Sequence, residues 1–185
     1  MRADNTIRRY GAIAILLHWA MALLLVGLVA MGLYMTRLPD AGFDKTKILL
    51  IMYHKEFGIL ALGLVGVRWG WRFGNVKPGL VDMPEWQKVA ARFVHLCFYA
   101  FMIALPLSGW LMSSAAGFPV SFFGLFFLPD LVDYNERQFQ FFLALHRFLG
   151  WALIPLIAVH VGAALAHHFI HRDESLRKML PAGPA

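Results

Sequence analysis

The sequence predicts an all-α integral membrane protein, an up-down four-helix bundle, from its composition and its long apolar runs. Of the 185 residues, 59% are hydrophobic and only 15% are charged, whereas a soluble domain is about half apolar and about a quarter charged. A helix needs about 20 apolar residues to cross a bilayer, and four runs reach that length. We therefore expect a single membrane domain over residues 1–185.

The four predicted helices cover about residues 10–35, 47–71, 88–113 and 139–169. The first run is too long and too polar at its start for a cleaved signal peptide. Residues 75–85 are rich in proline and charge and are expected to form a loop. The apolar segment at about 118–128 is only half a span long, so it is expected to lie in the membrane interface or to fold back.

The positive charges predict the orientation of the bundle. More Lys and Arg residues flank the helix ends on the side of the two termini than on the other side. Such residues are in excess on the cytoplasmic side of membrane proteins, so both termini are predicted to be cytoplasmic. This placement also explains the net charge of +6, and no nucleic-acid partner is expected.

Histidines inside the predicted helices are the candidate functional residues, because ionisable groups at membrane depth are costly and usually functional. With a rise of about 1.5 Å per residue, His18 lies about 12 Å and His160 about 15 Å from the cytoplasmic ends of their helices. His54 and His146 each fall seven residues after the periplasmic start of the second and the fourth predicted helix. The sequence thus predicts two pairs of histidines, each pair at one depth.

The spacing of His146 and His160 suits two stacked porphyrins. They are 14 residues apart, which places them about 21 Å apart along one helix and within about 40° of each other around it. Two imidazoles fill both axial positions of a haem iron and favour electron transfer. The lone cysteine, Cys97, excludes covalent attachment through a Cys-x-x-Cys-His motif. The residues four positions beyond His18, His54, His146 and His160 are small and leave room for a ring: Ala22, Gly58, Gly150 and Ala164.

Two other interpretations stay open on the residues alone. Membrane histidines also hydrogen-bond across helices as packing contacts. A metal-ion transporter would instead need carboxylates or thiols along a path, and Glu56 is the one acidic residue clearly inside a span.

Several motifs resemble the bacterial cytochrome b561 family, and the match covers nearly the whole chain. They are Arg9-Tyr10-Gly11 leading to His18-Trp19, the run His54-Lys55-Glu56-Phe57-Gly58-Ile59, His95 followed by Ala104-Leu105-Pro106, His146 with His160, Ala166-His167-His168-Phe169, and the tail 173–180. The resemblance implies a multi-pass protein of the bacterial inner membrane with two haem b groups. It implies that His18 and His160 bind the cytoplasmic-side haem iron, and His54 and His146 the periplasmic-side one.

The resemblance also implies electron exchange with ubiquinone or a related quinone. One subgroup resembles a superoxide oxidase, which passes electrons from superoxide to quinone. Other members resemble electron-transfer partners of small periplasmic isoprenoid-binding proteins, and the Tyr10-Gly11 opening and segment 117–129 look closer to that subgroup. The function expected is a quinone-linked oxidoreductase, and the alternative is an electron-relay subunit for a periplasmic redox or lipid-binding protein.

Two further sets of residues are candidates near the haems. His95 and His168 remain on the cytoplasmic half and are quinone candidates, since an imidazole can donate to a quinone carbonyl; the alternative for His168 is a place in the headgroup layer. Lys47, Lys55 and Arg147 lie near the periplasmic-side pair. They are expected to pair with haem propionates, or else to steer an anion such as superoxide. Acidic residues on the same face, such as Asp40, weaken the steering hypothesis.

Overall fold

Four long helices dominate the computed structural model, which describes residues 2–39, 44–79 and 81–181. Each of the four is long and apolar enough to cross a membrane. The predicted four-helix membrane architecture is therefore confirmed. Asp40 and residues 182–185 lie outside the described residues. The helices are α1 (Ala12–Met35), α2 (Lys45–Gly74), α3 (Glu85–Ala115) and α4 (Glu136–Ala166).

Helices α2 and α4 begin two or three residues earlier than predicted, at Lys45 and Glu136, because polar residues cap their first turns. The Asp44 carboxylate accepts hydrogen bonds from the backbone N–H groups of Thr46 and Lys47, at 2.8 and 3.3 Å. The Asn135 side chain accepts one from Gln138 N at 3.0 Å. Such caps satisfy N–H groups that have no partner in the first turn of a helix. Each helix therefore gains a polar first turn that hydropathy alone does not reveal.

Neighbours in the chain are neighbours in the bundle. Helix α1 packs on α2, α2 on α3 and α3 on α4, whereas α4 makes no extended backbone contact with α1 or α2 within the described residues. A small core cluster of Met21, Val65 and Met102 joins α1, α2 and α3. The large exposed side chains on the helices are mostly apolar, as expected for surfaces that face lipid.

The segment after α3 forms a β-hairpin, which the sequence pattern did not predict. Strand β1 (Val120–Phe122) pairs antiparallel with β2 (Phe126–Leu128). The turn needs positive φ at Phe123 (51°) and Gly124 (71°), a conformation that costs nothing at glycine. The expected interfacial segment is therefore a folded-back ribbon, and we call this side of the bundle the hairpin end.

The opposite side, the termini end, gathers the N-terminal segment, the α2–α3 loop and the C-terminal tail. The backbone of residues 3–4 passes so close to Gly11 that a Cβ there would overlap Ala3 O and Asp4, which explains the glycine of the opening motif. Beyond α4 the chain continues as a π-helical turn (His167–His171) and a 3₁₀ turn (Arg177–Met179). Both terminal segments therefore pack at one end of the bundle.

Candidate functional site

The structure brings the four histidines together as two pairs, one at each end of the bundle. The ring centroids of His18 and His160 are 6.3 Å apart, and those of His54 and His146 are 6.1 Å apart. A metal–imidazole bond is about 2 Å long and the nitrogen lies about 1 Å from its ring centroid, so imidazoles on opposite sides of one metal have centroids about 6 Å apart. Both separations therefore fit two axial ligands of one iron.

The second pair includes a histidine whose ring is held by hydrogen bonds. His146 Nδ1 lies 3.1 Å from Leu105 O and 3.0 Å from Ser108 Oγ. Because the carbonyl can only accept, the ring donates through Nδ1 and leaves Nε2 unprotonated. A donor bond on the second nitrogen is what orients histidine ligands of metals. Helix α3 lies close behind this ring, since a Cβ on Gly109 would stand 3.3 Å from His146 Cε1.

His54 has a buried nitrogen that the protein leaves unsatisfied. Its Nδ1 is buried and has no hydrogen-bond partner among the described residues. A Cβ on Gly32 of α1 would lie 3.5 Å from His54 Cε1, so α1 closes in on this ring as α3 does on His146. An uncompensated imidazole nitrogen in an apolar setting is costly, which suits a ring that binds a further group.

There is room between the helices that carry the paired histidines. Helix α4 makes no extended backbone contact with α1 or α2 in the described part of the chain, and the paired histidine rings meet across the space between them. A Cβ added to Gly58 or Gly150 would meet no atom within 4 Å. The donor set, the ring separations and the open space all fit a flat cofactor bound through iron.

The first pair lies among charged and aromatic groups. Arg68 Nη2 is 3.4 Å from His18 Nδ1, and Arg68 Nε donates to the Tyr99 hydroxyl at 3.4 Å. The ring of His95 lies 5.5 Å from that of His160, measured between centroids. The termini end thus combines a cation and a third histidine with its pair, whereas the hairpin end has no third histidine in ring contact among the described residues.

The two quinone candidates occupy different places. His95 donates from Nδ1 to Ala91 O at 2.6 Å and is exposed beside His160. His168 lies on the π-helical turn, eight residues beyond His160, and its buried Nδ1 has no hydrogen-bond partner among the described residues. The structure therefore joins His95, but not His168, to the first pair through a ring contact.

The three basic candidates are also placed differently. Lys55 donates to Ser113 Oγ at 3.1 Å and to Pro119 O at 3.3 Å, so it fastens the start of the hairpin to α2. Lys47 donates to Leu38 O at 3.1 Å. Arg147 is exposed on α4 beside His146. Lys55 and Lys47 thus have structural contacts that the sequence did not reveal.

Two polar features of the termini end were not predicted as functional. Arg68 is one of the basic residues that flank the helix ends on the side of the termini, and it follows His54 by the same 14 residues that separate His146 from His160. That spacing places it on the face of His54 at the depth of the other pair and could have revealed it. His167 Nδ1 donates to Asp173 Oδ2 at 2.5 Å, a contact across the π-helical turn that no local pattern signals.

The family profile described as prokaryotic cytochrome b561 matches residues 9–182. The chain belongs to the prokaryotic cytochrome b561 family. It is 37% identical over 183 residues to cytochrome b561 homolog 2 of Escherichia coli K12, covering 97% of this chain and 95% of that protein. It is 32% identical to cytochrome b561 homolog 1 of the same organism, covering 94% and 97%. It is 27% identical to the protein named probable superoxide oxidase CybB of Yersinia pestis, covering 94% and 97%.

Membership identifies this b561-family protein as a membrane electron-transfer protein that binds haem b. With its four spanning helices, it is a multi-pass protein of the bacterial inner membrane. The predictions of family, haem b and localisation are confirmed. The number of haems, their ligands and the quinone partner remain predictions.

Proposed function

We propose that the protein binds two haem b groups and carries electrons across the membrane between a periplasmic donor or acceptor and the quinone pool. His18 and His160 hold one haem iron, and His54 and His146 hold the other. The observation that carries the proposal is the pairing of these rings at 6.3 and 6.1 Å. The two positions on α4 are about 21 Å apart along the helix, which covers most of a hydrocarbon core about 30 Å thick.

Haem iron would supply a reversible one-electron centre, and the paired imidazoles that would hold it favour electron transfer. The protein's part is to hold these imidazoles and to exclude water. His146 does so through its bond to Leu105 O at 3.1 Å, which fixes the ring and makes Nε2 a better donor to a metal. The open space between α4 and the helices α1 and α2 gives the cofactor its place.

At the termini end the same helices bring a cation and a hydrogen-bonding group to the first pair. The Arg68 guanidinium has five donors and is the residue best placed to pair with a propionate carboxylate there. His95 bonds Ala91 O through Nδ1, which leaves Nε2 for a quinone or quinol. We therefore place the quinone at this end, with His95 as its principal contact and His168 as the second candidate; ubiquinone or a related quinone fits.

Superoxide is the first candidate for the electron donor at the hairpin end. The support is the Yersinia pestis relative named probable superoxide oxidase, together with the cations Lys55 and Arg147 close to His54 and His146 in the chain. In that reaction each superoxide gives one electron and becomes oxygen, and two electrons with two protons convert quinone to quinol. Lys47, Lys55 and Arg147 then pair with propionates or attract the anion.

A relay to a periplasmic redox or lipid-binding protein, without turnover of a small molecule, is the second candidate. One observation favours it: the hairpin exposes a large apolar surface beside the second pair, and Phe127 is 71% exposed. Exposed apolar patches mark contacts with proteins, ligands or membranes.

The test is turnover by the purified holoprotein in vesicles that contain ubiquinone, with superoxide generated enzymatically outside. Quinol formation that superoxide dismutase abolishes is the result expected for the first candidate. Reduction of the cytochrome by quinol, with no catalysis by superoxide, would instead support the relay. Failure of quinol or quinone to exchange electrons with the cytochrome would contradict both.

A further inference from the structure

A shallow pocket at the termini end lies outside the proposed haem sites. Its volume is about 440 Å³. Three segments that are distant in sequence contribute to it: the N-terminal segment, the α2–α3 loop and the C-terminal tail. Its lining residues are Ile7, Arg8, Arg9, Gly79, Glu174 and Lys178.

Hydrogen bonds among these segments hold the pocket open before anything binds. Gly79 N donates to Ile7 O at 3.4 Å, and Lys178 Nζ donates to Gly79 O at 2.7 Å. Arg9 Nη2 donates to Arg177 O at 3.2 Å. The three walls are thus fixed relative to one another, so a ligand would meet a preformed site and lose little affinity to ordering it.

The lining is basic and has hydrogen-bond donors to spare. The lining contains three cations and one carboxylate. That carboxylate, on Glu174, accepts a hydrogen bond from Arg177 Nη1 at 3.2 Å. Among the described residues, no side-chain hydrogen bond or ion pair involves the exposed Arg8 guanidinium. Arg carries five donors and Lys three, so the bonds already made leave several N–H groups available. Such a set suits a phosphate, which accepts charge-assisted bonds from Arg and Lys.

The pocket also lies at the boundary of the membrane-spanning region. Helix α1 begins at Ala12, five residues after Ile7, and Trp19 of α1 donates from Nε1 to Met179 O in the tail at 2.7 Å. The apolar side chain of Ile7, which lines the pocket with the cations, is 75% exposed. Phe73 on the last turn of α2, at the same end of the bundle, is 80% exposed. A phosphate bound here would therefore have apolar surface close to it.

We propose that this pocket binds the phosphate of an anionic phospholipid headgroup, with Arg8, Arg9 and Lys178 as the donors. Free phosphate compounds share that chemistry, but the exposed apolar residues at the membrane boundary favour a lipid. Basic pockets at the ends of membrane helices are suited to such headgroups. The bound lipid bridges the three segments and fastens the tail to the bundle.

The experiment is native mass spectrometry of the detergent-solubilised holoprotein titrated with phosphatidylglycerol or with the net-neutral phosphatidylcholine. We expect phosphatidylglycerol to bind at least tenfold more tightly. Arg8→Gln should remove most of that preference, because it removes a cation of the lining that makes no side-chain hydrogen bond or ion pair within the described residues. Arg137→Gln makes the same change of charge at the hairpin end and should leave the preference intact.

Two further arms make the result decisive. Glu174→Gln removes the one acidic group of the lining and should tighten phosphatidylglycerol binding severalfold. Millimolar inorganic phosphate should fail to displace the lipid; displacement would assign the site to a soluble phosphate compound and overturn the lipid proposal. Equal loss of binding in Arg8→Gln and Arg137→Gln, or no loss in either, would also overturn it. An unchanged haem spectrum shows that each variant is folded.

Discussion

The two histidine pairs have similar ring separations but different surroundings. At the termini end, His18 and His160 are joined by His95 and by the Arg68 guanidinium, which also binds Tyr99. At the hairpin end, His146 is bonded to Leu105 O and Ser108 Oγ. Lys55, next to His54 in the chain, donates to Ser113 of α3 and to Pro119 O just before the hairpin.

The two ends meet the requirements of two different kinds of site. An electron-transfer site needs rigid ligands, which the hairpin end provides through the bonds to His146. A site that also transfers protons to a quinone and hydrogen-bonds to it needs polar groups with unused donors or acceptors. The termini end provides such groups. The difference therefore supports placing quinone chemistry at the termini end and simple electron entry or exit at the hairpin end.

The largest expected effect comes from filling the space behind the His146 ring. Gly109→Leu places a bulky side chain where even a Cβ would stand 3.3 Å from His146 Cε1, so the ring must move. We expect the haem content to fall by about half while the termini-end haem stays. The control is Gly27→Leu, where a Cβ meets nothing within 4 Å. Equal haem in the two variants would show that His146 is not a ligand.

The next effect tests the quinone assignment. His95→Gln should slow reduction of the cytochrome by ubiquinol at least tenfold, as loss of a group positioned for hydrogen bonding and proton transfer does. Reduction by dithionite should be unchanged. His171→Gln, on the π-helical turn, is the matched control. Normal ubiquinol kinetics in His95→Gln would remove that residue from the quinone site.

Much of this architecture follows from the sequence, because hydropathy and helical spacing are strong signals. Hydropathy and helical spacing alone were enough to predict the four spans and the depths of four histidines, namely His18, His54, His146 and His160. Iron binding by these residues stays a prediction. The hairpin was not predictable, since its strands have three residues each and the segment that leads into it is held by Lys55, a partner distant in sequence. The contact of Arg68 with His18 is hard to predict, because a charge near a helix end is also explained by membrane topology.

A smaller effect would distinguish the two proposed haems by their midpoint potentials. Removing a cation near an iron favours the oxidised, more positive form, so Arg68→Gln should lower the midpoint potential of the termini-end haem. A shift of about 60 mV is expected, equal to a tenfold change in a one-electron equilibrium. Spectroelectrochemical titration measures it, with Arg72→Gln as the control. A shift confined to the hairpin-end haem would reverse the assignment of the two sites.

The smallest effect concerns the tail at the termini end. Burial tends to raise the pKa of the Asp173 carboxyl. The hydrogen bonds from Ser175 N and His167 outweigh this effect, so the pKa lies below its ordinary value of 3.8. A depressed pKa means that the ionised carboxylate stabilises the fold above about pH 4 and that this contribution is lost as the pH falls further.

The variant Asp173→Asn should therefore exchange the tail amides about fivefold faster near pH 6, the equivalent of about 1 kcal/mol. Hydrogen exchange of residues 174–180 measures this. The difference from the unmodified protein should shrink below about pH 4; a constant difference would show that the carboxylate's charge is not involved.

The most direct test of the two-site account is a haem count by pyridine haemochrome on the purified protein and three variants. We expect two haems in the unmodified protein, about one in His146→Ala, about one in His160→Ala, and two in His171→Ala, whose ring lies outside both pairs. A count that is unchanged in His146→Ala and His160→Ala, or a single haem in the unmodified protein, would contradict the account.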